Sequence, residues 1–544
     1  MKHKLKIGLA QINTTVGDFA ANCDKIRQMY ARAKQADVDL LVFPELCICG
    51  YPPEDLLLKK SFLAANKKAV EQIAADCPDI AIILGFAEDG QPLPYNSLAV
   101  LENGKITKIY SKGLLPNYGV FDEKRYFQPG ISPVVVKIKG ISIVCTICED
   151  IWDADWLKNF LTGVAERDLI VNISASPFHA GKIKEKLLVI HDTAKALGCP
   201  VAYCNLVGGQ DELVFDGRSM IIECSGKLAA CAKSFDEDLL VADVHKGQKI
   251  TSVSTELSVD YAEEVYNALT LGTRDYVRKN GFKKVLIGLS GGIDSALTAA
   301  IAAQALGSEN VIGITMPTRF NCAETITDAE KCAKNLDMEF HNIPIEQILR
   351  NFNDELTKTK GWNAQGLAYE NLQARIRGTI MMSLSNQFGY MVLTTGNKSE
   401  TAVGYSTLYG DTAGGFAVIK DVPKTLVYQL CDYINKRFGK EIIPQSVIER
   451  VPTAELRPGQ KDSDSLPPYD LLDAILKEYI EEEKSLHELI AQGFNAETAT
   501  KVIKMVDRNE YKRRQCPPGV KITPKAFGRD RRMPITNLYR QNKS

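Results

Sequence analysis

The chain has 544 residues, of which 45% are hydrophobic and 24% are charged. This length exceeds what one hydrophobic core usually organises, so we expect about two to four domains and exclude a small disulfide-stabilised module. The composition is that of a globular protein and excludes a largely disordered or fibrous chain. The 66 Lys and Arg residues nearly balance the 67 Asp and Glu residues, so no overall field attracts nucleic acid or an anionic membrane.

The 14 cysteines are scattered without a regular framework, which indicates reduced thiols in a cytoplasm. The apolar stretch at the N-terminus is short and interrupted by Gln11 and Asn13, which is not typical of a secretory signal. No uninterrupted apolar run approaches the ~18 residues that span a bilayer. We therefore expect a cytoplasmic protein that binds neither a membrane nor nucleic acid.

Short Val- and Ile-rich runs alternate with helical patterns in the first half. The runs that we predict as strands are KIGLAQI, DLLVFPE, IAIILGF, SLAVL, ISIVCTI, LIVNISAS and PVAYCNLVG. Residues 22–36 carry apolar side chains at helical spacing. This alternation predicts one layered α/β domain over residues 1–250, followed by a polar linker over residues 251–262.

Strands and helices alternate more regularly in the second half. We predict strands in KVLIGLS, VIGITMP and GYMVLTTGN, with helices over about Ser295–Leu306 and Ala323–Leu336. Such alternation favours a doubly wound parallel sheet over residues 263–544, with ligands at the carboxyl ends of its strands. Residues 511–544 contain ten Lys or Arg and one Asp. This basic segment is either a solvated arm or a contact for a phosphate-rich ligand.

Three strings in the first half predict chemistry on an amide. FPELCICGYPPEDLL contains Glu45, YSKGLLPNYGVFDEKRYFQPG contains Lys112, and ISIVCTICEDIWD contains Cys148; we expect each to follow an apolar strand. A thiol that attacks an amide needs a base, a cation for the oxyanion and an acid for the departing ammonia. Glu, Lys and Cys supply these roles together, although a lone cysteine is commonly an inert core residue. Cys145 is the local alternative nucleophile.

In this order, the three strings resemble the nitrilase, or carbon-nitrogen hydrolase, family over residues 4–245. The resemblance implies a four-layer α-β-β-α sandwich, with Glu45 as general base, Lys112 as oxyanion stabiliser and Cys148 as nucleophile. It also suggests Glu123 as a fourth, supporting carboxylate.

Two further strings, FPELCICGYPPEDLL and SASPFHAGK, are similar to the glutaminase branch that is fused to NAD+ synthetases. The resemblance implies glutamine as substrate and glutamine contacts from Tyr118, Ser176 and Lys182. The alternative for Lys182 is an ordinary solvated lysine of a helix.

The second half contains a glycine-rich turn in KVLIGLSGGIDSALTAAIAAQAL, where a strand ends in Ser290-Gly291-Gly292 before a helix. Glycines let backbone N–H groups approach an anion, and the start of a helix carries partial positive charge. We predict a phosphate-binding turn; the alternative is an ordinary strand-to-helix turn with Asp294 or Ser295 as N-cap. The Gly-Lys-Ser/Thr of a Walker loop is absent.

The string Ser-Gly-Gly-x-Asp-Ser resembles the loop of enzymes that cleave ATP to AMP and pyrophosphate. The resemblance implies phosphate contacts from this loop and Asp294 as a ligand of Mg2+. Because Mg2+ takes one or two carboxylates besides phosphate oxygens, we expect a second acid. Glu400 is the candidate, and its alternative role is that of an ordinary residue in the first turn of a helix.

The stretch over residues 371–430, with PTAELRPGQKDSDSLPPYDLLDAIL and NEYKRRQCPPGVKITPKAFGRDRRMPI, is similar to the synthetase domain of NAD+ synthetases. The resemblance implies that ATP, a co-substrate, adenylates deamido-NAD+, and that ammonia then displaces AMP. The implied ATP contacts are Gly288, Leu289, Ser290, Gly291, Gly292, Ile293, Asp294, Ser295, Thr395, Lys424 and Thr453. The implied deamido-NAD+ contacts are Asn371, Arg375, Glu400 and Lys512. The sequence departs from ammonia-only relatives at Leu408 and Tyr511, where we expect Lys and His.

The two halves explain each other, because a glutaminase releases the ammonia that an adenylating synthetase consumes. The resemblance also implies an enclosed ammonia route and a homodimer or larger assembly. One alternative is an amidotransferase with another acceptor, as in GMP synthetase or asparagine synthetase, which the stretch over residues 371–424 disfavours. Another is a catalytically silent nucleotide-binding protein, which the intact set of candidate catalytic residues disfavours.

Overall fold

The structure is a computed structural model that describes residues 4–246, 249–251 and 260–539. The chain divides into two compact units, Met1–Val259 and Asp260–Ser544. Most of the predicted linker, residues 252–259, lies outside the described residues, while Thr251 ends a strand and Tyr261 begins a helix. Within the described ranges, no helix has the length and apolar character needed to cross a membrane.

The first unit is built from two large sheets. Its strands are β1 (Lys4–Gln11), β2 (Leu40–Val42), β3 (Ala81–Glu88), β4 (Tyr95–Glu102), β5 (Lys105–Ser111), β6 (Val134–Ile138), β7 (Ile141–Ile147), β8 (Leu169–Ser174), β9 (Val201–Asn205), β10 (Val207–Gln210), β11 (Leu213–Asp216), β12 (Met220–Ile222), β13 (Leu228–Cys231), β14 (Asp238–His245) and β15 (Lys249–Thr251). The strand order is β15-β14-β1-β2-β3-β4-β5 in one sheet and β13-β12-β9-β8-β7-β6 in the other, while β10 and β11 form a hairpin.

Alternating side chains make this unit a four-layer sandwich. Leu5, Ile7 and Leu9 of β1 share one buried cluster with Ile141 and Ile143 of β7, so the two sheets pack face to face. The helices of this unit are α1 (Phe19–Gln35), α2 (Lys60–Asp76), α3 (Glu123–Tyr126), α4 (Ala154–Phe160) and α5 (Lys182–Leu197). Helices α1 and α2 cover the outer face of the seven-stranded sheet, and α4 and α5 cover that of the six-stranded sheet. The predicted α-β-β-α fold is confirmed.

The second unit contains a five-stranded, wholly parallel sheet, as predicted. Its strands are β16 (Val285–Gly288), β17 (Val311–Thr315), β18 (Glu339–Asn342), β19 (Met391–Thr394) and β20 (Phe416–Ala417). Their order is β18-β17-β16-β19-β20, so the chain proceeds outward from β16 in one direction and then from β19 in the other. The carboxyl ends of β16 and β19 therefore border the topological switch point, where open α/β sheets bind ligands.

Helices surround this sheet and form an additional helical cluster. They are α6 (Tyr261–Lys279), α7 (Ile293–Leu306), α8 (Ala323–Asn335), α9 (Glu346–Leu356), α10 (Leu367–Phe388), α11 (Lys398–Val403), α12 (Lys424–Phe438), α13 (Gln445–Glu449), α14 (Tyr469–Leu476), α15 (Leu486–Ala491), α16 (Ala496–Arg508) and α17 (Glu510–Arg513). One face of the sheet packs against α9 and α10, and α11, α14, α15 and α16 share a separate apolar core.

The basic C-terminal segment folds back onto the second unit as far as it is described. Arg513, Lys521 and Arg531 are all buried. Lys521 pairs with Asp530 at 2.6 Å, and the backbone N–H groups of Ile522 and Thr523 donate to Asp421. A solvated arm is therefore wrong for residues 511–531, whereas most of residues 532–539 are exposed.

Candidate active sites

Three strand ends bring the candidate catalytic residues of the first unit together. Glu45 lies just beyond β2, Lys112 directly follows β5, and Cys148 directly follows β7. Strands β2 and β7 are wholly buried, as predicted. The prediction of an apolar strand before Lys112 is wrong, because β5 is an edge strand whose side chains are mostly exposed.

The ammonium of Lys112 lies between two carboxylates. Its Nζ is 2.8 Å from Glu45 Oε1 and 2.9 Å from Glu123 Oε2, and all three side chains are at most 5% exposed. Burial alone lowers the pKa of Lys112, but the charges of Glu123 and Glu45 outweigh it and hold that pKa well above its ordinary value. Burial raises the pKa of Glu123 to about 7, with Lys112 opposing and Glu45 reinforcing the shift. Lys112 is thus a fixed cation.

Further donors fix the orientation of both carboxylates. Asn96 Nδ2 donates to Glu45 Oε1 at 2.7 Å, and the backbone N–H of Ala175 donates to Glu45 Oε2 at 2.8 Å. The hydroxyl of Tyr51 donates to Glu123 at 2.9 Å. No sequence pattern singled out Asn96 or Tyr51, because their roles arise only when distant segments of the chain meet.

The Cys148 thiol lies against this charged network. The residue has a φ of +42°, a strained conformation for a side chain of this size. Burial raises the pKa of its thiol well above the ordinary value; Glu45 adds to that shift and Lys112 opposes it. Cys145 lies inside β7, where burial raises its pKa to about 12 and the only opposing charge is Lys108. The geometry therefore favours Cys148 over Cys145.

The predicted glutamine contacts surround the turn that follows Cys148. The Tyr118 hydroxyl donates to Glu149 at 2.9 Å, and Lys182 Nζ lies 5.7 Å from the ring centroid of Trp152. Lys182 also donates to the Pro177 carbonyl at 2.7 Å from the first turn of α5. Ser176 is buried. Glu149 was not predicted, although its position next to Cys148 in the sequence was a usable signal.

In the second unit, the glycine turn joins β16 to α7. Helix α7 begins at Ile293 with Gly292 as N-cap, so the alternative that Asp294 or Ser295 caps it is wrong. Ser295 Oγ accepts from the Ser290 N–H at 3.3 Å and donates to the Gly292 carbonyl at 2.9 Å. Gly291 has a φ of +81°, and a Cβ there would lie 2.0 Å from the Thr325 carbonyl oxygen. Only glycine fits this turn without distortion.

Asp294 and Glu400 face one lysine. Lys424 Nζ bonds to Asp294 Oδ2 and lies 3.9 Å from Glu400 Oε1. Asn397 joins the two acids, because its amide donates to Asp294 at 2.9 Å while its oxygen accepts from the Glu400 N–H at 3.0 Å. Burial raises the pKa of Glu400 to about 8, with Asp294 adding to the shift and Lys424 opposing it. Asn397 was missed, although Asn three residues before Glu is a capping signal.

A cavity of about 390 Å³ opens at the switch point. Of the predicted ligand contacts, Gly288, Leu289, Ser290, Thr395, Asn371 and Lys512 line it. The other predicted ligand contacts are not part of its lining: Gly291, Gly292, Ile293, Asp294, Ser295, Glu400, Lys424, Arg375 and Thr453.

The contacts of four predicted residues around the cavity are internal to the protein. Asn371 accepts from the Thr407 hydroxyl at 2.7 Å, and Arg375 donates to the Leu408 carbonyl at 3.2 Å. Lys512 donates to two carbonyls at 2.8 Å each, and Thr453 donates to the Gln460 carbonyl at 2.6 Å. Burial lowers the pKa of Lys512, with Asp411 opposing the shift. Arg377, which the sequence analysis did not single out, also lines the cavity.

Comparison with known proteins agrees with this architecture. The carbon-nitrogen hydrolase family matches residues 6–249, and the NAD synthase family matches residues 265–516. The chain is 45% identical to the glutamine-dependent NAD(+) synthetase of Thermotoga maritima, covering 99% of each chain, and 46% identical to that of Aquifex aeolicus, covering 98% and 100%.

A solved structure from Acinetobacter baumannii, a glutamine-dependent NAD+ synthetase in complex with ADP, is 41% identical. It has a TM-score of 0.79, covering 99% of this chain and 100% of the other. The glutamine-dependent NAD(+) synthetase of Cytophaga hutchinsonii is 25% identical, with a TM-score of 0.85 and 98% of both chains covered. Since relatives of such identity span its whole length, the chain belongs to the family of glutamine-dependent NAD+ synthetases.

Proposed function

We propose that the two centres carry the two halves of one reaction, the last step of NAD+ biosynthesis. The first centre hydrolyses glutamine and releases ammonia. The second uses ATP to convert deamido-NAD+ and that ammonia into NAD+, AMP and pyrophosphate. Family membership supports this activity, and the observation that carries the residue assignments is the buried Lys112 ammonium held by Glu45 and Glu123 beside Cys148.

In the first centre, Glu45 accepts the thiol proton and the Cys148 sulfur bonds to the amide carbon of glutamine. The Lys112 ammonium stabilises the oxyanion of the tetrahedral intermediate in a water-excluded site. Glu45 returns the proton to the departing nitrogen, so that the C–N bond breaks, ammonia leaves and a thioester remains. Glu45 then takes a proton from water, whose oxygen displaces the sulfur to give glutamate, and passes that proton to the departing sulfur, which restores the Cys148 thiol and the Glu45 carboxylate.

The polar groups beside Cys148 suit the rest of the glutamine molecule. We assign Tyr118, Ser176 and Lys182 to glutamine binding; the Glu149 carboxylate accepts from Tyr118, and the charge of Lys182 lowers the pKa of Glu149, which burial raises. An α-amino group fits the carboxylate, and an α-carboxylate fits the lysine.

In the second centre, a carboxylate oxygen of deamido-NAD+ bonds to the α-phosphorus of ATP as the bond to pyrophosphate breaks. Ammonia then bonds to the activated carbonyl carbon, loses a proton and displaces AMP. The N–H groups of the turn at Ser290–Gly292 and the start of α7 suit phosphate binding. The ADP held by the Acinetobacter baumannii relative supports an adenine nucleotide in this centre. We assign the ATP and deamido-NAD+ contacts as the sequence predicts them.

Asp294 and Glu400 fit a magnesium ion. Two carboxylates share the single charge of Lys424, and the side chain of each stays about one-fifth exposed. Within the described ranges, no cluster of three or more acidic, His or Cys side chains is arranged to hold a metal ion. This set suits Mg2+, which takes one or two carboxylates and completes its shell with phosphate and water oxygens. When bound, the ion would neutralise charge on the phosphates.

We also infer a cytoplasmic homodimer or larger assembly, with domains over residues 1–250 and 263–544. All 14 cysteines are free thiols, which supports a reducing compartment.

The test measures NAD+ formation from ATP, Mg2+ and deamido-NAD+ with either glutamine or ammonium as nitrogen donor. We expect Cys148→Ala to lower the glutamine-driven rate by at least about 10³-fold and to leave the ammonium-driven rate unchanged. The matched control is Cys145→Ala, which removes a thiol from β7, three residues before Cys148, and keeps the glutamine-driven rate within about 3-fold. Equal loss with both donors in Cys148→Ala would overturn the assignment of two centres.

A further inference from the structure

The carboxylate of Asp150 lies two residues after Cys148 and has no role in the reaction described above. It is fully buried within the short turn Cys148–Ile151. A buried carboxylate is costly unless its oxygens accept hydrogen bonds, so its partners indicate what it is retained for.

Asp150 accepts four hydrogen bonds, two on each oxygen. Oδ1 accepts from the backbone N–H groups of Gly113 at 3.0 Å and Leu114 at 2.9 Å. Oδ2 accepts from the backbone N–H of Ile147 at 2.9 Å and from the hydroxyl of Tyr110 at 2.7 Å. One oxygen therefore holds the two residues after Lys112, and the other holds the residue before Cys148.

These two backbone segments belong to different sheets. Lys112 follows β5, the edge strand of the seven-stranded sheet, and Cys148 follows β7 in the six-stranded sheet. Ladder hydrogen bonds fix strands only within one sheet, so they do not set the separation between Lys112 and Cys148. Side-chain packing alone leaves more freedom than reacting groups tolerate, since an error of about 1 Å can cost a hundredfold in rate.

We propose that Asp150 is a positioning residue that ties the backbone after Lys112 to the backbone before Cys148 and so sets the cation and the thiol in reacting distance. The inference rests on the roles proposed above for Lys112 and Cys148. The four hydrogen bonds of Asp150 go to Tyr110 and to the backbone of Gly113, Leu114 and Ile147, so it acts through the segments that flank Lys112 and Cys148.

The decisive variant is Asp150→Asn, because an amide keeps the size of the side chain but has only one acceptor oxygen. Whichever way the amide turns, either the Lys112 segment or the Cys148 segment faces an NH2 group instead of an acceptor. We expect kcat for glutamine hydrolysis to fall about 10²-fold while KM stays within about 3-fold. The ammonium-driven rate should not change.

The control is Asp168→Asn. Asp168 accepts from the backbone N–H of Ser142 at 2.9 Å, which is the same kind of contact on β7 at the end far from Cys148. We expect its kcat to stay within about 2-fold of the unmodified chain. In every variant, kcat is expressed per mole of Cys148 that iodoacetamide alkylates, measured on its peptide by mass spectrometry.

This normalisation separates positioning from a merely structural role. If Asp150→Asn keeps its kcat per reactive Cys148, or if Asp168→Asn loses as much, the proposal is overturned. If Asp150→Asn does not fold, Tyr110→Phe decides, because it removes one donor from Oδ2 and leaves all three backbone contacts. We expect a loss of about 3- to 10-fold in kcat with unchanged KM, and no loss would overturn the proposal. Failure of the proposed function is seen separately, as glutamine-driven activity that persists in Cys148→Ala.

Discussion

Lys112 in the first unit and Lys424 in the second each have their ammonium between two carboxylates, but the carboxylates differ in exposure. Glu45 and Glu123 are at most 5% exposed, whereas Asp294 and Glu400 are 18% and 21% exposed. The first network is almost completely buried and holds the proposed base and cation in contact. The second network remains partly exposed.

This difference matches the chemistry of the two substrates. Hydrolysis of a small amide needs only groups that the protein supplies, so they can be buried and fixed in advance. Activation of a carboxylate by ATP brings in several negative charges, which need a metal ion and backbone N–H groups that remain reachable. Under the proposed assignments, the first centre therefore needs only groups of the protein, whereas the second also needs groups that its ligands bring.

The largest effect is expected for Asp294→Asn. If Asp294 and Glu400 hold Mg2+ as proposed, loss of one of these two carboxylates should lower NAD+ formation by about 10³-fold with glutamine and ammonium alike, because both donors depend on adenylation. The exposed Asp470, in the first turn of α14, gives a control in Asp470→Asn that should keep both rates. Retained ammonium-driven synthesis in Asp294→Asn would contradict the metal role and the contrast between the centres.

Lys112→Met tests the closed centre. The change removes the oxyanion-stabilising cation, so glutamine hydrolysis should fall by at least about 10²-fold while ammonium-driven synthesis continues. It also leaves Glu45 and Glu123 without their buried partner, which should lower the free energy of unfolding by about 3 kcal/mol. Rates and thermal unfolding measure the two effects.

The control for this variant is Lys34→Met, which breaks an ion pair with Asp79 whose side chains are both more than half exposed. Such a pair contributes little to stability. If Lys112→Met and Lys34→Met lose the same free energy of unfolding, then the buried Lys112 network stabilises the fold no more than an exposed ion pair does.

Gly291→Ala probes the phosphate turn, with Gly281→Ala as control. Both glycines have a φ of +81°, but an added Cβ meets the Thr325 carbonyl oxygen at 2.0 Å in the first case and nothing within 4 Å in the second. The two variants therefore share the backbone strain and differ in the clash. We expect Gly291→Ala to raise KM for ATP by about 10-fold or more, and Gly281→Ala to leave it unchanged. Similar KM values in both variants would argue against phosphate binding by the turn.

The smallest effect concerns stability and pH at Glu400. Its folded pKa of about 8 lies above the ordinary 4.5, so its contribution to stability is full below 4.5 and is lost as pH rises through 8. The glutamine of Glu400→Gln is neutral at every pH, so this variant does not lose that stability as pH rises. Relative to the unmodified chain, its free energy of unfolding should rise by ~1–2 kcal/mol across this window. This is less than the full pKa shift corresponds to, because Lys424 and solvent offset part of the cost of the charged carboxylate.

The control is Glu497→Gln, an exposed glutamate in the first turn of α16. Chemical denaturation at both ends of the pH window measures each variant. If the difference in free energy of unfolding between Glu400→Gln and the unmodified chain does not change with pH, then Asp294 and Glu400 do not repel each other in the folded protein.

Much of the fold could be predicted because the residues of its hydrophobic cores occur as local runs and helical spacings along the sequence. The apolar runs KIGLAQI and ISIVCTI predict β1 and β7, and α1 and α7 lie within a few residues of their predicted bounds. The prediction that β5 is apolar was wrong. This strand lies at the edge of its sheet and carries Lys105 and Lys108, which are typical of edge strands, but the sequence does not show which strand lies at an edge.

The strings around Glu45, Lys112, Cys148 and Asp294 indicated the chemistry because their residue types and their order along the chain are local properties. The partners Asn96, Tyr51 and Asn397 and the four donors to Asp150 lie on segments far apart in sequence. Sequence by itself determined the two-part organisation, the family and the candidate catalytic residues. Tertiary structure alone decided that one pair of carboxylates is almost fully buried around its lysine and the other stays partly exposed, because burial and charge pairing depend on which distant strands and helices pack together.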